Sequence, residues 1–226
     1  MSERVQHRYS SGAIILHWLL ALALAFQLSL GTWLVPALIS EFRALHPNVS
    51  FALEPSRDED LTPVLAGGRV DLELTSRRPR DARVRWRRLF AEPFYLAVPA
   101  DHRLAARVRV GLAEVADEPF VALRPTWLLR SQVEQLCGRA GFTPRVVFEA
   151  DDLPTARGFV AAGLGVAVIP AMGQDPVSGR LDGLSLVAID DPQASREVGA
   201  VWSVDRRLLP AAQLFRRHVL RTAAPR

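Results

Sequence analysis

The chain has 226 residues, 49% of them hydrophobic and 23% charged, which is enough for one or two domains with a real core and too apolar for disorder. One cysteine, Cys137, excludes an intramolecular disulfide framework and cysteine-built zinc; all 28 basic residues are arginine, which excludes lysine Schiff-base chemistry and a Walker-type phosphate lysine. The net charge is only +4, so the pI near 10.4 reports arginine's high pKa more than a cationic excess.

No Asp, Glu or Arg lies between Arg8 and Glu41, and Ala13 to Leu30 is apolar except at His17, Gln27 and Ser29. About 20 such residues suffice to cross a bilayer, so membrane insertion through residues 13–35 is the expectation. Arg4 and Arg8 then favour a cytoplasmic N-terminus. Two other readings stay open. One is a signal peptide cut at Ala21-Leu22-Ala23 or Ala23-Leu24-Ala25, and the other is an element packed into a soluble domain.

From Leu34 the pattern becomes soluble α/β. Leu34, Val35, Leu38, Ile39, Phe42 and Leu45 keep helical spacing up to His46-Pro47-Asn48. Strands are expected at 49–54, 70–74, 94–98, 120–123, 145–149, 166–169, 184–189 and 199–204. Helices are expected near 61–65, over 127–140 with Thr126 as N-cap, from Asp151 or Asp152 to Ala162, and from Leu208 to Leu220. Alternating strands and helices imply a mainly parallel, doubly covered sheet. Arg77 to Arg88 packs seven arginines into twelve residues around Trp86. We read it as a solvated loop and edge strand in preference to a phosphate footprint.

Two resemblances attach to these residues. Arg8-Tyr9-Ser10 followed by Leu16-His17-Trp18 resembles the opening of the bacterial di-haem cytochrome b five-sixty-one family over about residues 7–33. That resemblance would make His17 an axial haem ligand. Bis-histidine ligation needs a second imidazole at the same depth, and His7, His46, His102 and His218 all lie outside the apolar run, so no haem is expected. The second resemblance is longer. Leu34 to Arg43 with His46-Pro47-Asn48, Leu65-Ala66-Gly67-Gly68-Arg69-Val70-Asp71-Leu72, and Glu92-Pro93 leading into Pro99-Ala100-Asp101-His102-Arg103-Leu104 come in order. Asp117-Glu118-Pro119-Phe120, Ala140-Gly141-Phe142-Thr143-Pro144 and Gly163-Leu164-Gly165-Val166 to Pro170 follow. Together they resemble the effector-binding domain of LysR-type transcriptional regulators over residues 34–226.

That resemblance implies two Rossmann-like α/β subdomains with a hinge, similar to periplasmic binding proteins, with a ligand cleft between them. With the N-terminal hydrophobic helix (1–33) set apart, subdomain I takes 34–97 and 171–226, and subdomain II takes 98–170. It also implies dimerisation, with itself or a partner regulator chain. Candidate ligand residues lie in the turns after strands: Thr75 and Ser76, then Arg124, Thr126 and Trp127, with Thr32 in the leading loop and Pro170 at the returning strand. Hydroxyls, helix N–H groups and the nearby Arg77, Arg124 and Arg130 make a small carboxylate a reasonable effector. No winged helix-turn-helix precedes Leu34, so direct DNA binding is not expected of this chain. No nucleophile elbow, H-E-x-x-H or Gly-rich phosphate loop occurs, so neither enzyme activity nor a metal site is expected. The expected function is a small-molecule-sensing regulatory domain. Alternatives are a membrane-tethered or exported solute-binding protein and a non-functional gene-fusion fragment.

Overall fold

The computed structural model describes residues 22–56, 62–172 and 183–222. In chain order the first half runs β1 (Leu22–Gln27), α1 (Leu28–Gly31), α2 (Leu34–Leu45), β2 (Phe51–Ser56), α3 (Thr62–Gly67), β3 (Leu72–Thr75) and β4 (Val84–Pro99). It continues with β5 (Arg109–Val110), β6 (Pro119–Leu123), α4 (Leu128–Arg139), β7 (Arg145–Ala150), α5 (Leu153–Ala161) and β8 (Ala167–Pro170). The chain closes with β9 (Leu184–Ile189), β10 (Ser195–Ser203) and α6 (Pro210–Thr222).

The apolar N-terminal stretch does not continue as one helix into α2. Leu22–Gln27 is instead a strand held parallel between β2 and β3, with Leu22, Leu24 and Phe26 buried. A strand flanked on both sides in a covered parallel sheet must be apolar on both faces, so its sequence reads as a continuous hydrophobic run. One helical turn follows, then α2, whose Leu34, Val35, Leu38 and Phe42 form a buried stripe at 3.6-residue spacing. From Leu22 onward, three separate elements, each buried for its own reason, therefore account for the apolar composition. Among the described residues no helix is long and apolar enough to cross a membrane. The boundary expected at residue 34 likewise disappears, since Leu22 to Trp33 is part of the α/β fold. The cytochrome-like reading is not supported: its residues 22–33 belong to this fold, while residues 7–21, His17 included, lie outside the described residues.

The two lobes are defined by which strands pair. In the first, the order is β2-β1-β3-β10 and then the leading half of β4. Phe42, Phe51 and Phe215 meet edge-on in its core, with ring centroids 5.1–6.0 Å apart. In the second, the trailing half of β4 lies between β8 and β9, β5 flanks β9, and β6 pairs with β7 while touching Val166 just before β8. Leu96, Val98, Phe120, Leu136 and Val160 fill that core.

β4 is thus one sixteen-residue strand passing from the first lobe into the second. The chain returns between β9 and β10, where Phe94 N–H donates to the Ala194 carbonyl. β9, assigned by the sequence to the first lobe, is paired with Tyr95 to Pro99 in the second. The sheet is also less parallel than expected: β3–β10, β10–β4, β4–β8 and β4–β9 are all antiparallel. A chain that crosses between lobes twice, once each way, has to bring its crossing strands together antiparallel.

Candidate functional site

A cleft of about 180 Å³ lies where the lobes meet. The first lobe contributes Gln27 at the end of β1, Ser29 and Thr32 around α1, and Ser76 just past β3. The second contributes Leu123 at the end of β6, Trp127 and Leu129 at the start of α4, and Asp151 to Pro154 at the start of α5. Met172 and Arg196 complete the wall near the crossing strands. β1, β3 and β6 all present their carboxyl ends here, where open α/β sheets leave a crevice.

Local hydrogen bonding sets the first-lobe wall. Gln27 is almost fully buried, and its Oε1 accepts from both the Ser76 N–H (2.9 Å) and the Ser76 hydroxyl (2.8 Å). The ends of β1 and β3 are thereby tied together at the cleft. On the opposite wall Asp152 caps α5, accepting from the Thr155 N–H at 2.7 Å, and Asp151 pairs with Arg124.

At the crossing strands Arg196 and Glu92 face each other directly in register, and both side chains are buried. Arg196 Nε donates to Glu92 Oε2 at 2.7 Å, and Nη1 donates to the Ser29 hydroxyl at 3.1 Å. Glu92 Oε1 accepts from the Met172 N–H at 2.9 Å. Met172 is the one described non-glycine residue with positive φ, 55°, so that bond holds a backbone conformation L residues seldom take.

Thr32, Ser76 and Trp127 line the cleft, as the sequence suggests for ligand residues. Thr75 is buried beside it, its hydroxyl accepting from the Arg77 N–H. Thr126 is exposed and does not cap α4; Trp127 occupies the cap position and makes no side-chain capping bond. Pro170 is a buried strand residue opposite Phe94. Of the three guanidiniums expected near a ligand, Arg77 is exposed and Arg124 is held by Asp151. Arg130 is held by Glu134, Glu149 and the Leu123 carbonyl. The cation that does face the cleft, Arg196, was not singled out, and neither were Met172 and Glu92. Nothing local marks them, because they meet only through strand pairing. Gln27 and Ser29 did carry a signal: they are the polar interruptions of an apolar run, and they fall where a buried strand ends and its loop begins.

Cys137 sits in the second-lobe core on α4, and burial pushes its thiol up to about 11, so it is inert at neutral pH.

The family model described as LysR substrate binding domain matches residues 21–224. Among curated sequences the chain is similar to the uncharacterized HTH-type transcriptional regulator YybE of Bacillus subtilis (strain 168), 35% identical over 199 residues. That alignment covers 88% of this chain and 66% of the relative, so the chain spans just under two thirds of the relative's length. The fold is similar to the effector-binding domain of QuiR in complex with shikimate (TM-score 0.76, 19% identity, 90% of this chain and 96% of that one). It is equally similar to the BenM effector-binding domain with benzoate (TM-score 0.76, 24% identity, 89% and 90%).

Proposed function

The chain belongs to the LysR substrate-binding-domain family, and on that basis we propose that it senses a small organic effector in the cleft between its lobes. The observation that carries this reading is the composition of the cleft. Apolar walls from Leu123, Trp127, Leu129 and Met172 surround a few polar groups contributed by both lobes, which is how small-molecule sites are built. An occupant touching Ser29 and Ser76 on one side and Trp127 and Leu153 on the other binds best at one separation of the lobes. It therefore shifts the population towards that separation, and this shift is the signal.

We read the effector as a small, largely apolar molecule with a hydrogen-bond acceptor, a carboxylate being one such group. Shikimate and benzoate, each found in complex with a protein of the same fold, both carry one carboxylate on a six-membered carbon ring. Within a whole regulator the signal would modulate transcription, with two copies of the domain associating. Leu53 on β2 and Val147 and Phe148 on β7 leave apolar surface on the outer strands that a second copy could cover.

A library of small organic acids and their neutral analogues tests the reading, followed through Trp127 fluorescence and calorimetry. A hit that quenches the wild type but not Trp127→Phe, and that raises Tm, supports it. Hits whose binding is unchanged by Trp127→Phe and Ser76→Ala would place the ligand elsewhere.

A further inference from the structure

Arg196 is nearly fully buried, and its side chain is 1% exposed, yet it forms part of the cleft wall. Its guanidinium is only half used. Nε and Nη2 crowd one carboxylate oxygen, Glu92 Oε2, at 2.7 and 2.6 Å. Nη2 nevertheless finds no hydrogen-bond geometry with any described atom. Glu92 turns its second oxygen, Oε1, to the Met172 N–H instead. An Arg–carboxylate pair left free to choose would be bidentate. Here the arginine keeps donors in reserve, at a depth where an unmade hydrogen bond is costly.

The charge around those donors is equally particular. Of the described residues lining the cleft three are ionisable, Asp151, Asp152 and Arg196, and Glu92 stands directly behind the arginine. The lining cation is therefore already neutralised, and the mouth carries two carboxylates, of which Asp151 is paired with Arg124.

We propose that Arg196 is the residue that reads the effector, presenting Nη1 and Nη2 to one hydrogen-bond acceptor. In this proposal Glu92 is its positioning residue and limits the effector to neutral or singly charged acceptors. The inference rests on the cleft being the sensing site. Glu92 holds the guanidinium plane through Nε, while Nη1 lies on the Ser29 side, where Ser29 and Arg196 both line the cleft. Its charge also cancels most of the attraction Arg196 would exert on an anion, since a carboxylate within 3 Å of the guanidinium weakens the local field. A neutral or monoanionic acceptor gains two charge-assisted hydrogen bonds at modest electrostatic cost. A dianion meets the Asp152 carboxylate and no free cation among the described residues of the site, since Arg196 is held by Glu92 and Arg124 by Asp151. An acceptor at Nη1 also takes the place of the Ser29 hydroxyl, so occupancy is communicated to α1 in the first lobe, while Glu92 links the same pair to Met172 beyond β8.

The test uses a dianion that needs no knowledge of the effector. Sulfate alone is titrated into the full chain by calorimetry, with Trp127 fluorescence in parallel. The wild type is expected to take up sulfate weakly or not at all. Glu92→Gln removes the compensating charge and is expected to bind it at least about tenfold more tightly. Adding Arg196→Met to Glu92→Gln is expected to abolish the gain. A merely structural role for Glu92 predicts no gain of anion affinity. Equal sulfate affinity in wild type and Glu92→Gln would overturn the proposal, as would a gain that survives Arg196→Met. If Glu92→Gln does not fold by circular dichroism, Glu92→Asp keeps the charge but withdraws it by one methylene. A smaller gain is then expected, and unchanged affinity overturns the proposal just as firmly. Sulfate uptake that depends on Arg196, in a chain that binds no organic molecule, would retire the effector reading and leave Arg196 only as an acceptor-binding donor restrained by Glu92. An effector bound in the cleft with equal affinity by Arg196→Met does the reverse.

Discussion

His218 shows how one residue ties stability to pH. It lies in the first-lobe core against Phe42 and Phe215, and burial lowers its pKa below the usual 6.5. Glu41, whose Oε2 is 3.8 Å from Nε2, and a hydrogen bond to the Leu38 carbonyl oppose the shift, while Arg221 and His46 reinforce it. Because the folded pKa lies below the unfolded one, the unfolded chain binds the proton more readily, and stability is lost as pH falls below about 6.5. Tm is therefore expected to drop between pH 7.5 and 5.5, and His218→Gln to flatten that dependence; an unchanged slope would show that other groups dominate. Gly165 illustrates a steric requirement. Its φ is +152°, and a Cβ there would come within 2.5 Å of the Pro119 carbonyl oxygen, which accepts the Val166 N–H across the β6 contact. Gly165→Ala is expected to cost about 2 kcal/mol or more in urea unfolding, because backbone has to move to admit the methyl group.

Among the elements β1 decides the most. Its neighbours β2 and β3 are not bonded to each other, so the first-lobe sheet is continuous only through it. Leu24 has no exposed surface, and the strand ends in Gln27, which fixes Ser76 at the cleft. Leu24→Ala is expected to destabilise the chain by about 2–5 kcal/mol. Leu24→Arg is expected to prevent folding and leave the protein in the insoluble fraction. A membrane-anchored segment would instead give a folded domain that simply partitions differently, so fractionation with circular dichroism separates the two. The helices α2, α5 and α6 needed less context. Their stripes and stop signals place them within a few residues of where they form, since a helix's hydrogen bonds are local and its apolar stripe is visible along the chain. Strand β4 is the counterexample: residues 94–98 and an edge strand within Arg77–Arg88 were legible separately, but not that they form one continuous strand. The arginine-rich Val84 to Arg88 leads the same strand because β10 pairs with it, forming a charged outer strand among the described elements.

At the scale of the molecule the two lobes are joined by β4, by the passage from β9 to β10, and by Trp33, which packs against both cores. So much shared structure predicts one unfolding transition, seen alike by tryptophan fluorescence and far-ultraviolet circular dichroism; two separated transitions would show that the lobes fold independently. A true effector, present at about a hundred times its Kd, should stabilise the whole by about 2.7 kcal/mol and raise that single Tm. From Leu34 onward the order of most strands and helices and the LysR-type likeness were contained in the sequence, as were the polar residues closing β1, because periodicity, turn residues and motif order are properties of neighbours along the chain. Whether the apolar N-terminal run would be a membrane helix or a central strand could not be settled that way, since both environments demand the same composition. The union of Ser29, Glu92, Met172 and Arg196 was equally hidden: these residues are up to 167 positions apart and meet only because two crossing strands pair in one register. Those two decisions, which place the cleft and its one cation, belonged to the tertiary structure alone.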